Sequence, residues 1–95
     1  MENQKYIFRG DRSGVFFGEL LAEEGQRVKI GNCRRLWYWA GAASLSQLAL
    51  EGVTRPGDCK FTVTVPELVI LDCIEIIPCS AQAIKSIDGV RVWKM

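Results

Sequence analysis

The stretch Val15–Ala40, VFFGELLAEEGQRVKIGNCRRLWYWA, decides the fold. From Val15 to Glu23, Val15, Phe17, Glu19 and Leu21 share one face, and Phe16, Gly18, Leu20 and Ala22 share the other. That alternation is a strand signal. Gly18 inside it predicts a bulge or sharp bend. Glu24-Gly25 reads as a hairpin turn. Val28 and Ile30 then alternate against Arg27 and Lys29, Gly31-Asn32 reads as a second tight turn, and Cys33 to Ala40 as a further strand. Three short-linked antiparallel strands make a meander, the nucleus of a small SH3-like or Sm-like barrel.

Outward from this nucleus the pattern stays β-rich. Lys5–Arg9 is a short strand ended by the turn-forming run Gly10–Gly14. Ser44, with Gln47 three residues on, is a capping box for a helix over Leu45–Glu51, with Gly52 placed to end it. Arg55-Pro56-Gly57-Asp58 is a turn. Phe61, Val63 and Val65 alternate with Thr62 and Thr64 in a strand that Pro66 is expected to end, and Leu68–Ile77 reads as the longest strand. Ser80 caps a second helix with Ile84 and Ile87 inward and Gly89 closing it. Val90–Trp93 reads as an edge strand. The expected fold is mainly β (α+β): a single domain over 1–95 forming a partly open barrel of five to six strands with two short helices.

Composition excludes more than it identifies. The 95 residues carry 12 Lys and Arg, 11 Asp and Glu and no His, a net charge of +1. Without His there is no Ser-His-Asp or Cys-His dyad within the chain and no His-type zinc site. Near-neutral charge argues against strong nucleic-acid binding. The longest apolar run, Leu68–Ile77, is interrupted by Asp72 and Glu75 and falls far short of the ~20 residues of a membrane helix. The polar N-terminus leads into no export signal, so Cys33, Cys59, Cys73 and Cys79 are expected as reduced thiols in a cytoplasm. Their spacings of 26, 14 and 6 contain no C-x-x-C pair. Asp72 and Glu75 fall on opposite strand faces, so they form no carboxylate pair. No catalytic residue, metal or cofactor is expected, and the chain is read as a non-enzyme.

A ligand site is expected along Arg34–Ser46. Alternation groups Arg35, Trp37 and Trp39 on one face and Arg34, Leu36 and Tyr38 on the other. Indoles stack on planar rings, and a guanidinium forks onto phosphate or carboxylate. The same rings also serve as ordinary core. Gly41, Ala42, Ala43, Ser44 and Ser46 bring small side chains and hydroxyls to a helix start, where N–H groups favour an anion; the plain alternative is a capped helix. Cys33 beside two arginines is a weak nucleophile without His.

The segments Gly14–Leu20, Arg34–Trp39 with Gly41–Leu45, Cys59–Val63 and Val92–Lys94 together resemble a family of small bacteriophage and prophage proteins classed as a domain of unknown function. The resemblance implies a phage-encoded protein acting in a bacterial host's cytoplasm. It brings no activity and no site residues. Taken together, the expectation is a non-catalytic, homo-oligomeric binding protein, a sponge for a nucleotide-derived immune signal, with Trp93 and Lys94 contributing at subunit junctions. The other reading is a protein-interaction factor whose aromatic face meets a second subunit or a host protein.

Overall fold

A computed structural model describes residues 4–95. Five strands, β1 Tyr6–Gly10, β2 Val15–Glu24, β3 Arg27–Tyr38, β4 Lys60–Ile70 and β5 Cys73–Pro78, form one antiparallel sheet in the order β4-β3-β2-β1-β5. Helix α1, Leu45–Glu51, and a single 3₁₀ turn, Pro56–Asp58, connect β3 to β4, and helix α2, Ala81–Asp88, follows β5. β4 and β5 are the outer strands and do not pair with each other, so the sheet is not closed. No helix is long and apolar enough to cross a membrane among the described residues.

Each face of the sheet carries its own core. On one face Ile7, Phe17, Leu36 and Phe61 meet Leu48 and Ala49 of α1 and Ala83 and Ile87 of α2. On the other, Phe8, Phe16, Val28, Ile30, Cys33, Ile70 and Cys73 pack on one another with no helix over them. The sheet must therefore bend across its own surface to bury these side chains. Bulges supply the bend. Between Phe17 and Glu19 the β2–β3 register shifts, and a Cβ on Gly18 would lie 2.7 Å from the Gly31 carbonyl oxygen. The glycine is what lets the two backbones close in.

Three sequence expectations fail here for one reason. Gly31-Asn32 is no turn, because β3 runs unbroken through it; Asn32 takes a positive φ of 45° inside the strand. Positive-φ chemistry serves a bulge as well as a turn, and β3 has partners on both sides to hold it straight through. Pro66 does not end β4, which continues to Ile70. At a sheet edge a missing N–H costs no ladder bond. The break falls instead at Leu71-Asp72, where the Asp72 carboxylate accepts from the N–H of Arg12 (2.7 Å), the N–H of Ser13 (3.0 Å) and Ser13 Oγ (2.6 Å). That clasp ties the β1–β2 loop to the β4–β5 corner.

The helices match their capping signals. Ser44 Oγ accepts from Gln47 N–H at 3.1 Å, and Gly52 follows at φ 78°. Ser80 Oγ accepts from Ala83 N–H at 3.0 Å and donates to the Leu50 carbonyl at 2.6 Å, joining α2 to the end of α1. The final residues form one parallel bridge, Val92 beside Phe61, instead of a strand.

Candidate functional site

Adjacent positions on a strand face opposite ways, and here that rule separates two arginines. Arg34 lies across from Phe17, on the helix-covered face, and is 4% exposed. Its guanidinium donates to the carbonyls of Ile87 (2.8 Å) and Val90 and, through Nε, of Thr62 (2.9 Å). Ile87 lies in the last turn of α2 and Val90 just after it, so Arg34 places a cation at the C-terminal end of that helix. Burial lowers its pKa and Asp88 opposes the shift. A guanidinium committed to three carbonyls is a strut of the fold.

Arg35 lies across from Phe16. Its guanidinium carbon sits 4.4 Å from the centre of the Phe16 ring, and one Nη donates to the Ser13 carbonyl. Gly14, at φ 112°, makes room for it: a Cβ there would come within 3.2 Å of Arg35 Nη1. The contact with Phe16 and the bond to Ser13 hold the guanidinium, and only one N–H donor is spent on the protein. Neither Arg35 nor Arg12 has a carboxylate partner among the described residues.

Two hollows meet at this side chain. One, of about 240 Å³, is lined by Arg12, Ser13, Gly14, Arg35 and Trp37. The other, of about 480 Å³, shares Arg12, Ser13 and Arg35 and runs along Leu68–Asp72. Trp37 stands at the rim, 64% exposed, and Leu71 at the far side is 71% exposed. The Asp72 clasp holds the loop that carries Arg12 and Ser13. Its hydrogen bonds, from Ser13 Oγ first and then Arg12 N–H, draw the carboxyl below its ordinary pKa.

The remaining expected residues disperse. Trp39 packs half-buried against the helix-side core, away from Trp37. The register shifts around Leu36 break the simple alternation that grouped them. Gly41 is needed for its own turn, at φ 90° with Thr54 close by, and Thr54 Oγ1 donates to its carbonyl at 3.4 Å. Ala42 packs against the same core. The N–H of Ala43 donates to Gln47 Oε1 at 2.8 Å, and Ser44 Oγ already holds Gln47 N–H. The start of α1 is thus closed by its own side chains. Ser46 lies exposed on α1. Sequence reasoning did not bring Ser13 and Asp72 into the neighbourhood of Arg35, because no spacing along the chain reports that the β1–β2 loop touches the β4–β5 corner.

All four cysteines are free and buried. Burial pushes the Cys33 and Cys79 thiols up to about 12 and raises Cys73 as well. Such thiols are poor nucleophiles. Among the described residues no three His, Cys, Asp or Glu side chains gather as a metal site.

Comparison with protein families gives one assignment. The chain belongs to the family described as a domain of unknown function, DUF6948, which it matches over residues 3–87. No curated protein and no solved structure matches it.

Proposed function

We propose that the chain is a phage-encoded, non-catalytic binding protein that acts as a homo-oligomer in the host cytoplasm, sequestering an anionic, planar, nucleotide-derived signal. The curled sheet acts as a partly open barrel whose mouth is the groove beside Arg35. One observation carries the reading: a guanidinium over the Phe16 ring, without a carboxylate partner among the described residues, lies in the hollow that the exposed indole of Trp37 borders. A charged fork and an aromatic plate side by side suit a phosphate joined to a ring. Arg12 adds a second cation from the loop that Asp72 anchors.

The test is thermal unfolding with a panel of cyclic dinucleotides and cyclic ADP-ribose isomers. One of them is expected to raise the melting temperature of the wild-type protein, and Arg35→Gln and Trp37→Ala to abolish the rise at unchanged oligomeric mass. No rise across the panel overturns the proposal.

A second reading rests on the adjacent exposure of Trp37 and Tyr38 and of Val63 on the neighbouring strand. There this aromatic patch is a protein interface, where Trp and Tyr are common anchors. Collapse of the oligomer to monomer in Trp37→Ala supports it over ligand capture.

A further inference from the structure

The largest of the hollows described here lies elsewhere. It has a volume of about 490 Å³, within the size range of small-molecule sites, and forms where the Pro56–Asp58 turn meets the chain after α2. Lys60, Arg91 and Trp93 are its chemically distinctive walls, and Asp58 is the single carboxylate lining it. Neither Lys60 nor Arg91 has a carboxylate partner among the described residues. The backbone of Trp93 is tied to β4: its main-chain N–H donates to the Phe61 carbonyl at 2.8 Å, and Lys60 Nζ sits 5.5 Å from the centre of the indole. That leaves the ammonium its N–H donors for an anion. Gly57 opens the wall, since a Cβ there would meet nothing within 4 Å.

Two cations without a carboxylate partner among the described residues, beside an exposed indole, form a recognition set for a ring bearing a phosphate, at a place that shares no lining residue with the Arg35 groove. We infer that this hollow is a second ligand site, for a small phosphate-bearing aromatic molecule of mononucleotide size. The cations supply charge recognition and the indole supplies stacking. The site is independent of the Arg35 groove, and either can fail while the other stands.

Titration calorimetry with adenosine 5′-monophosphate as the probe tests it, with adenosine and inorganic phosphate as separate arms. The expected result is binding of the monophosphate by the wild-type protein, weakened at least tenfold in Arg91→Ala and in Lys60→Ala and at least fivefold in Trp93→Phe. Adenosine and phosphate alone are each expected to bind at least tenfold more weakly. Arg35→Gln is expected to leave this affinity unchanged. Arg91 and Lys60 are exposed, so these variants are expected to fold, and a far-ultraviolet circular dichroism spectrum checks that they do. Absence of binding at millimolar probe, equal affinity for adenosine, or unchanged affinity in Arg91→Ala overturns the inference. Loss of binding in Arg35→Gln with retention in Arg91→Ala assigns the monophosphate to the other groove and overturns it too.

Discussion

The two faces of this sheet solve the same burial problem differently, and Arg34 and Arg35 mark the difference. On the helix-covered face a guanidinium is 4% exposed and every hydrogen bond it donates goes to a backbone carbonyl of the fold. On the face that curls over itself, the next guanidinium lies on Phe16 at the edge of an open groove. A helix layer seals what it covers. A sheet bent across its own surface, with β4 and β5 as its outer strands, leaves an open seam, and the proposed ligand site lies along it. The lesson is that residue type alone does not assign a role to an arginine here; which side of β3 it leaves from does.

The largest expected effect sharpens this contrast. Arg34→Met removes the guanidinium's three hydrogen bonds, to Thr62, Ile87 and Val90, two of them buried, at a cost of about 3 kcal/mol in all. A loss of about 3 kcal/mol lowers the melting temperature by more than ~10 °C in a domain of this size. Arg35→Gln is expected to lower it by less than about 5 °C, since its cation–π contact at a half-exposed position is worth roughly 1 kcal/mol. Calorimetric melts of the two variants side by side decide the point, and equal losses break the comparison.

Next in size is the bend itself. Gly18→Ala places a methyl 2.7 Å from the Gly31 carbonyl oxygen and from Ile30 Cγ2. It is expected to destabilise by about 1–3 kcal/mol, read from urea midpoints. A neutral result removes the close approach from the account of the curl.

A smaller, pH-dependent effect belongs to the seam. Asp72 has a folded pKa below its ordinary value. Its contribution is therefore present above the ordinary carboxylate value and lost as pH falls through the folded one. Stability profiles of wild type and Asp72→Asn should differ at neutral pH and converge in strong acid. Parallel curves across the whole range contradict the clasp. Smallest of all, Cys33 and Cys79 should resist iodoacetamide at pH 8 in the folded protein and react only on unfolding; rapid native labelling would show the cores to be open.

Much of the fold was legible locally. Strand alternation marked β1 and β2, and the Ser44–Gln47 and Ser80 caps with Gly52 and Gly89 marked both helices. Those signals act over a few residues. What stayed hidden depends on partners distant in sequence. Gly31-Asn32 carries turn chemistry but is held straight by pairing with β2 and β4, Pro66 is harmless because β4 is an edge, and Asp72 ends the strand because the β1–β2 loop offers it N–H donors. Of the expected site, Arg35 and Trp37 come together at one hollow. Arg34, Trp39 and the start of α1 are drawn into the fold's own contacts, a choice that strand parity cannot make once bulges shift it.

The most direct test of the open seam as a ligand site is calorimetric titration of the wild-type protein and Arg35→Gln with whichever cyclic nucleotide raises the melting temperature. The account predicts saturable binding by the wild-type protein and at least a tenfold loss in the variant at nearly unchanged stability, about 1.4 kcal/mol of binding free energy. Equal affinity in the two proteins would contradict it.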